Sequence, residues 1–212
     1  MAYYDTRAPE YEEMFRRDDP VRQAELRALG QALLDALRGR RVLEVACGTG
    51  YWTALLAGAA RSILALDAAP KMLAIAREKA LPSAAVTLRL ADAYRLAEVS
   101  GVCDAGLANF WLSHVPRNRL DAWLEQFHAR IGRGAPVFMA DNVFFPGVGG
   151  ELVRREGCAD TYKRRVLADG STYDVLKNYF NESELRGLLA RHADALSIYS
   201  GTCYWWVSYR VA

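Results

Sequence analysis

The sequence predicts a single α/β domain with a mostly parallel sheet, helices on both faces and an antiparallel hairpin at the end. Short apolar runs alternate with stretches of helical periodicity over residues 41–141, the pattern of repeated β–α–β units. A glycine turn separates the first apolar run from the next helix. Near the C-terminus two strand-like runs are joined only by Gly201 and Thr202, which forces them to be antiparallel.

The composition is that of one globular domain. The chain has 212 residues, of which 52% are hydrophobic and 25% charged, enough for one full core. Its 27 basic and 25 acidic residues leave a net charge of +2, which predicts neither a nucleic acid nor a membrane surface as partner. The longest apolar stretch, residues 45–60, is broken by glycines and is shorter than the roughly 20 residues of a membrane span. The polar N-terminus does not resemble a secretory signal, so we expect a cytoplasmic protein.

The cysteines and histidines give no sign of a metal centre. The cysteines are Cys47, Cys103, Cys158 and Cys203, and no C-x-x-C pair exists. Because zinc sites need closely spaced Cys and His ligands, we predict that the chain binds no metal.

The elements follow from local signals. Asp19 before Pro20 predicts a helix start, and Gly39 predicts the end of that helix. The apolar runs that predict parallel strands span residues 41–46, 63–66, 86–90, 103–108 and 136–140. The helices between them are expected near residues 51–59, from Pro70 onward and around residues 120–131.

The last third has a different pattern. Asp169-Gly170 predicts a hairpin turn between strands at 161–167 and 171–179. Asn181 and Glu184 form a capping box at a helix start. Two strands at 195–200 and 203–211 make the terminal antiparallel pair.

The glycine turn carries most of the functional information. Gly48 and Gly50 follow a buried strand and precede a helix, so the backbone there can approach a ligand closely. Asp67 ends the next strand, 19 residues after Gly48, and a carboxylate at that position can bind both hydroxyls of a ribose. These features together predict a ligand that contains adenosine.

A dinucleotide such as NAD fits this turn poorly. Its G-x-G-x-x-G pattern needs a third glycine where the chain has Thr53. Glu44 places a negative charge near the position of a pyrophosphate. S-adenosylmethionine (SAM) has no phosphate and carries a cationic sulfonium and an ammonium, so it fits better. Glu44 either binds this ligand directly or ties the loop together as a hydrogen-bond acceptor.

These motifs resemble a known family. E-V-A-C-G-T-G at residues 44–50, Asp67, Ala91-Asp92-Ala93 and N-F-W-L-S-H-V at residues 109–115 are similar to class I SAM-dependent methyltransferases. The similarity covers roughly residues 1–141 and is greatest to the small-molecule branch that includes quinone-biosynthesis C-methyltransferases. Ala46 departs from the fullest pattern, which has glycine there. The resemblance implies a Rossmann-like seven-stranded fold and SAM as cofactor, and leaves the acceptor open.

The resemblance also implies the cofactor contacts. The glycine loop would pack against the methionine part of SAM, Asp67 would hold the ribose, and Asp92 with Ala93 would meet the adenine. Met72 would cover an adenine face or simply pack in the core, and the Asn109 carbonyl would lie near the sulfonium or ammonium. The full set of predicted contacts is Tyr11, Glu44, Ala46, Cys47, Gly48, Thr49, Gly50, Asp67, Ala68, Met72, Asp92, Ala93, Asn109 and Phe110.

The acceptor side is less defined. Methyl transfer from SAM needs alignment and a dry site, and a base only if the acceptor must lose a proton. His114 is the candidate base; the alternative, which we favour, is a histidine that bonds a loop or shapes the pocket. Aromatic residues predict a flat acceptor pocket or an amine cage. The predicted pocket residues are Tyr3, Tyr4, Trp111, His114, Phe144, Tyr162 and Tyr173.

The sequence favours a small-molecule acceptor. Asn109-Phe110-Trp111-Leu112 lacks the Asn/Asp-Pro-Pro-aromatic pattern of enzymes that methylate amines of nucleic-acid bases. Lys163 and Arg165 share one strand face and could meet an anionic substrate, although a solvated hairpin face is the interpretation we favour. The alternatives to a small-molecule methyltransferase are an RNA methyltransferase and a non-catalytic adenosyl-ligand binder.

We divide the single domain into four parts. Residues 1–40 are expected to form an N-terminal helical lid and residues 41–141 the SAM-binding core. Residues 142–180 are expected to form a hairpin insert that belongs to the substrate lid. Residues 181–212 contain the last helix and the antiparallel strands. The oligomeric state is not predicted by any of these features.

Overall fold

The structure, a computed structural model, describes residues 2–212. The strands in these residues are β1 (Arg41–Val45), β2 (Ser62–Asp67), β3 (Val86–Leu90), β4 (Ala105–Asn109), β5 (Pro136–Asn142), β6 (Glu151–Arg154), β7 (Thr161–Val166), β8 (Thr172–Leu176), β9 (Ala193–Ser200) and β10 (Tyr204–Val211). The helices are α1 (Ala2–Arg7), α2 (Pro20–Leu37), α3 (Tyr51–Leu56), α4 (Pro70–Glu78), α5 (Leu120–Ile131) and α6 (Glu182–Leu189). A 3₁₀ helix, Ala8–Phe15, follows α1.

Seven strands form the main sheet, in the order β3-β2-β1-β4-β5-β10-β9. Strands β1 to β5 are parallel to their neighbours among themselves, and β10 is antiparallel to both β5 and β9. The predicted α/β fold with a C-terminal antiparallel hairpin is therefore confirmed. The strand order reverses at β1, which lies between β2 and β4, and open α/β sheets bind ligands at such a point.

Side chains of alternate strand residues point to opposite faces of the sheet. Val42 packs on one face with Leu33 of α2, and Leu43 packs on the other face with Trp123 and Phe127 of α5. Each face of the sheet is therefore apolar and covered by helices. None of the helices in residues 2–212 combines the length and hydrophobicity of a membrane span.

The predicted helix starts are confirmed, while several strand ends differ by a few residues. The Asp19 carboxylate accepts hydrogen bonds from the first amides of α2, and the capping box of α6 is present. Strand β1 ends before Ala46, whose φ of 54° is left-handed. Strand β8 ends at Leu176 rather than near residue 179, because the amide of Asn178 bonds to the carbonyl of Ser113 instead of a strand.

Residues 151–176 form a separate antiparallel sheet, β6-β7-β8. The hairpin between β7 and β8 was predicted, and the Asp169 side chain accepts hydrogen bonds from Ser171 in its turn. Strand β6 was not predicted, because it has only four residues and follows the glycine-rich segment 147–150. We call residues 142–180 the insert.

Candidate functional site

The glycine loop after β1 adopts a conformation that few side chains tolerate. Ala46, Gly48 and Gly50 have φ values of 54°, 57° and 76°, all in the left-handed region. Glycine enters that region freely, whereas for other residues it costs about 1–2 kcal/mol. Ala46 therefore carries backbone strain at the position where the resembling family has glycine. The loop joins the end of β1 to the start of α3, so its backbone lies at the carboxyl edge of the sheet.

Asp67 at the end of β2 holds this loop. One carboxylate oxygen accepts a hydrogen bond from the Gly48 amide at 2.8 Å, and the other accepts one from the Ala69 amide at 2.8 Å. Burial raises the pKa of Asp67, and the backbone amides oppose that rise. Since each carboxylate oxygen has two lone pairs, both oxygens can still accept a hydrogen bond from a ligand hydroxyl.

A cavity of about 610 Å³ lies over the carboxyl ends of β1 to β4, within the range of small-molecule sites. We call it the cofactor cavity. Its lining includes these predicted cofactor contacts: Tyr11, Ala46, Gly48, Asp67, Ala68, Met72, Asp92, Ala93 and Phe110. It also includes these residues predicted for the acceptor: Tyr3, Tyr4, Trp111, His114 and Tyr173.

Five predicted cofactor contacts do not line this cavity: Glu44, Cys47, Thr49, Gly50 and Asn109. Buried Glu44 accepts a hydrogen bond from the Thr53 hydroxyl at 2.7 Å, so it ties the loop to α3. Burial raises the pKa of Glu44 to about 8. The Thr49 hydroxyl donates to Glu12 instead. Direct contact between these five residues and a ligand stays a prediction.

Two side chains near the cavity have buried polar atoms without a hydrogen-bond partner. The side-chain oxygen and nitrogen of Asn109 and the indole nitrogen of Trp111 have no hydrogen bond. Buried polar groups usually have partners, but Asn109 does not line the cofactor cavity, so the fit to a polar ligand such as SAM rests on the free lone pairs of Asp67.

The end of the cofactor cavity near Asp92 and Ala93 contains an aromatic pair. Trp111 lies with its ring centre 5.6 Å from that of Tyr94, and both line the cofactor cavity near Asp92 and Ala93. The sequence analysis placed Trp111 with the acceptor and did not include Tyr94. An aromatic residue two positions after Asp92, the acid that follows β3, was the available signal. Met72 is both buried and part of the lining, so its two alternative roles are compatible.

A second cavity, of about 320 Å³, adjoins the first. The two share the wall residues Tyr3, Tyr4, Tyr11, Phe110, His114 and Val175, which we call the junction. The second cavity is lined by the cationic side chains of Arg7, Arg17, Arg22, Lys163, Arg165 and Lys177. Asp19 is the acidic residue of its lining. We call this cavity the basic chamber.

The basic chamber corrects one expectation about the insert. Lys163 and Arg165 were favoured as a solvated hairpin face, but Lys163 is only 1% exposed. Residues alternate along β7, so Lys163 and Arg165 point inward. Arg164 between them points to solvent and pairs with Glu151 and Asp174. The hairpin folds over the carboxyl end of the main sheet, and this placement could not be derived from local sequence.

His114 at the junction has both ring nitrogens engaged. Its Nδ1 atom lies 2.7 Å from the carbonyl oxygen of Leu176, and its Nε2 atom lies 3.1 Å from the Tyr4 hydroxyl. Because a carbonyl can only accept, Nδ1 carries the proton and Nε2 accepts from Tyr4. Desolvation and the nearby Lys177 ammonium lower the pKa of His114 to about 3, so the ring is neutral.

Two of the predicted acceptor residues line neither cavity. Tyr162 lies on the outer face of β7 under the guanidinium of Arg155, because it alternates with the inward-facing Lys163. Phe144 is 40% exposed and packs edge-on against Tyr179. The structure thus separates Phe144 and Tyr162 from the junction, where Tyr3, Tyr4 and His114 lie. The other two predicted acceptor residues, Trp111 and Tyr173, line the cofactor cavity alone.

Residues 2–15, which we call the N-terminal segment, cover both cavities, since Tyr3, Tyr4 and Tyr11 line both of them. Glu12 pairs with Lys79 of α4 at 2.7 Å, and Asp5 accepts a hydrogen bond from the Lys71 amide. Helix α2, by contrast, packs its leucines in the core. The start of α2 also contributes Val21 and Arg22 to the lining of the basic chamber, and the lid expected over residues 1–40 stays a prediction. Residues 2–212 contain no group of three or more His, Cys, Asp or Glu side chains placed to hold a metal ion.

Comparison with known proteins agrees with this geometry. A family model described as a methyltransferase domain matches residues 42–134. The solved structure of a DhpI–SAH complex superposes with a TM-score of 0.79 and 27% identity, over 100% of this chain and 94% of that one. Residues 42–134 are therefore similar to a methyltransferase domain, and the whole chain shares its fold with a protein that binds S-adenosylhomocysteine. A complex of DhpI with SAM and HEP superposes similarly, with a TM-score of 0.77 and 26% identity over 98% of this chain and 94% of that one.

A curated relative matches part of this chain. It is a malonyl-[acyl-carrier protein] O-methyltransferase from Pectobacterium atrosepticum, 35% identical over 91 residues. The match covers 41% of this chain and 34% of the relative, so the aligned segment spans about a third of that protein.

Proposed function

We propose that this chain methylates a small acid, which enters the basic chamber as an anion and leaves as its methyl ester. The cofactor cavity would hold SAM, with Asp67 at the ribose and Asp92 and Ala93 at the adenine. The junction would bring the two ligands together. The insert and the N-terminal segment would act as the lid over both.

The convergence of cations in the basic chamber is the observation that supports an anionic acceptor. Burial lowers the pKa of Lys177 and of Arg165; the nearby Arg165 and Arg7 lower that of Lys177 further, and Arg7 lowers that of Arg165 further. Asp141 opposes this effect at Lys177. Within residues 2–212 Arg165 forms no ion pair. A bound anion would relieve this repulsion and form charge-assisted hydrogen bonds.

The state of His114 supports an acceptor that is already ionised. Its Nε2 atom accepts a hydrogen bond from the Tyr4 hydroxyl, and the low pKa of His114 makes the ring a weak base. An acid that enters as its anion has no proton to lose. SAM, when bound, supplies a methyl group whose bond to the sulfonium breaks as the charged oxygen of the acceptor takes it, so the acceptor loses one negative charge.

The junction would supply alignment and exclude water. Tyr3, Tyr4, Tyr11 and Phe110 form an aromatic wall shared by both cavities, and Tyr4 is fixed by its hydrogen bond to His114. Holding two reactants in contact in a dry site can lower a barrier by about 7–11 kcal/mol. No other catalytic group is required for direct displacement at an activated methyl carbon.

The charge of the product tests this proposal. Metabolite extracts would be incubated with the protein and SAM labelled in its methyl group, and the labelled products compared with their precursors by anion exchange and mass spectrometry. We expect a product that is heavier by one CH2 and elutes with one negative charge fewer than its precursor. A labelled product of unchanged charge would contradict methylation of an acidic oxygen.

An aromatic acceptor methylated on carbon is the second candidate, as the resemblance to quinone-biosynthesis enzymes suggests. The aromatic wall of the junction favours it, since flat rings stack on such walls. Its product would keep its charge in the same experiment. Label in RNA would indicate the RNA methyltransferase, and S-adenosylhomocysteine (SAH) binding without any labelled product would indicate a non-catalytic binder.

A further inference from the structure

We infer that Lys177 is the residue that holds the anion of the acceptor at the junction, and that Asp141 and Ser113 position its ammonium. The inference rests on the proposed function, because it names the contact that selects an acidic acceptor. Arg7 and Arg165 then add charge to the chamber, while Lys177 sets where the anion lies.

The ammonium of Lys177 is buried and has one free donor. The side chain is 6% exposed, and its nitrogen lies 2.6 Å from an oxygen of Asp141 and 2.7 Å from the Ser113 hydroxyl. An ammonium has three N–H groups, and those two acceptors take two of them. Among the hydrogen bonds of residues 2–212 the third has no acceptor. Since Lys177 lines the basic chamber, this donor is available to an anion there.

Asp141 is itself fixed in the sheet. It lies near the end of β5 with its side chain 1% exposed. One of its oxygens accepts from the Asn142 amide at 2.8 Å, and the other accepts from the Ser113 amide at 3.3 Å. The counter-ion of Lys177 therefore belongs to the core, although Lys177 itself belongs to the insert.

Both neighbours of Lys177 are hydrogen-bonded to the segment 113–114. The Leu176 carbonyl contacts His114 at 2.7 Å, and the Asn178 amide donates to the Ser113 carbonyl at 2.8 Å. The backbone of Lys177 is thus tied to residues 113 and 114 on both sides. This places the ammonium beside the junction, where the methyl group would move from the cofactor cavity to the basic chamber.

The other buried lysine of the chamber differs in its partners. Lys163 donates to the carbonyl oxygens of Val148 and Gly150 at 3.1 and 2.9 Å, both within the insert. It therefore braces the loop before β6. Lys177 bonds instead to side chains of the core, next to the junction.

The test uses a variant from which both charges of the Lys177–Asp141 pair have been removed. Removing Lys177 alone would leave Asp141 buried and unpaired, which is strongly destabilising, whereas replacing both members of a buried pair is often close to neutral. The variant is therefore D141N/K177M, which keeps similar side-chain volumes. Arg164→Gln is the matched control, because Arg164 is a cation on the solvent face of β7.

The measurement is calorimetric titration of the SAH-loaded protein with inorganic phosphate as the probe anion. We expect D141N/K177M to bind phosphate at least about tenfold more weakly than the wild type, with unchanged affinity for SAH. Arg164→Gln should match the wild type in both titrations. Ser113→Ala removes one positioning contact and no charge, and should weaken phosphate binding by about threefold.

The outcomes separate this inference from the proposed function. If the wild type binds phosphate and D141N/K177M binds it equally well, the role of Lys177 is wrong while an anionic acceptor stands. If the wild type itself does not bind phosphate, the proposed anionic acceptor is wrong, and the role of Lys177 with it. If D141N/K177M no longer binds SAH, Ser113→Ala decides, since unchanged phosphate affinity in that variant would contradict the positioning role.

Discussion

The carbonyl oxygen of Leu176 lies 2.7 Å from Nδ1 of His114, so the insert determines which ring nitrogen of His114 carries the proton. Nε2 then faces the Tyr4 hydroxyl of the N-terminal segment. His114 therefore connects the two parts of the chain that cover the cavities. The sequence analysis left two roles for His114, a base or a residue that hydrogen-bonds a loop. A neutral ring with both nitrogens engaged favours the second role.

We expect His114→Gln to lower turnover by less than about tenfold, because a neutral side chain that can still bond to Leu176 and Tyr4 preserves most of the contacts. Since the pKa of His114 is lowered to about 3, the pH profile of kcat/KM should show no histidine limb near neutrality. Tyr4→Phe is the matched variant and should give a similar loss. A loss of about 10²–10⁴-fold with a titration near pH 6–7 would instead establish His114 as the base.

Glu44 gives a prediction about stability and pH. Burial raises its pKa from 4.5 to about 8, so the folded unliganded protein keeps this carboxyl protonated over a range where the unfolded chain ionises it. The stability contribution is present below pH 4.5 and is lost as the pH rises through about 8. We expect the Tm of Glu44→Gln to fall less between pH 5 and pH 8 than the wild-type Tm.

The same variant tests the alternative role of Glu44. The amide oxygen of the substituted glutamine would still accept the Thr53 hydroxyl, so a loop-tying residue predicts nearly unchanged SAM affinity at pH 7. Direct contact between the Glu44 carboxylate and a cationic group of SAM predicts an affinity loss instead. Calorimetry at one pH, beside the melting series, distinguishes the two roles.

Asp67 is expected to serve both the loop and the ligand. Asp67→Ala removes the acceptors of the Gly48 and Ala69 amides, so the unliganded Tm should fall. Lost charge-assisted hydrogen bonds to the ribose are worth about 1.5–3 kcal/mol each, which predicts SAM binding at least about tenfold weaker. The competing view, that Asp67 only caps α4, predicts loss of stability alone.

A ribose analogue separates these two effects of Asp67. The wild type should bind SAH more tightly than 2′-deoxy-SAH, because the second ligand lacks one hydroxyl partner. In Asp67→Ala this preference should largely disappear. A preference that survives the substitution would mean that Asp67 does not contact the ribose.

Arg165 should determine affinity for anions without affecting the cofactor. We expect Arg165→Gln to bind inorganic sulfate about tenfold more weakly than the wild type in the SAH-loaded state, because a charged hydrogen bond is worth about 1.5–3 kcal/mol. SAH affinity should not change. Arg164→Gln, which alters the next residue on the opposite face of β7, should behave like the wild type in both titrations. Equal sulfate affinity in the two variants would contradict a basic chamber that binds anions.

Much of the fold and of the cofactor cavity could be predicted from the sequence, because the signals are local. Neighbours within a few residues determine the glycine turn, the helix caps and the acids at or just after the ends of β2 and β3. In a parallel sheet the carboxyl ends of adjacent strands must lie on one edge. Gly48, Asp67 and Asp92 therefore had to meet there once their strands were recognised.

The tertiary structure alone decided what faces the acceptor. Lys177 and Asp141 are 36 positions apart in sequence, and Tyr4 and His114 are 110 apart. No local pattern predicts either contact. Whether Lys163 and Arg165 meet solvent or a chamber depends on which way the insert folds across the sheet. Alternation along β7 shows only that they share a face, and the position of that face is set by packing between distant segments.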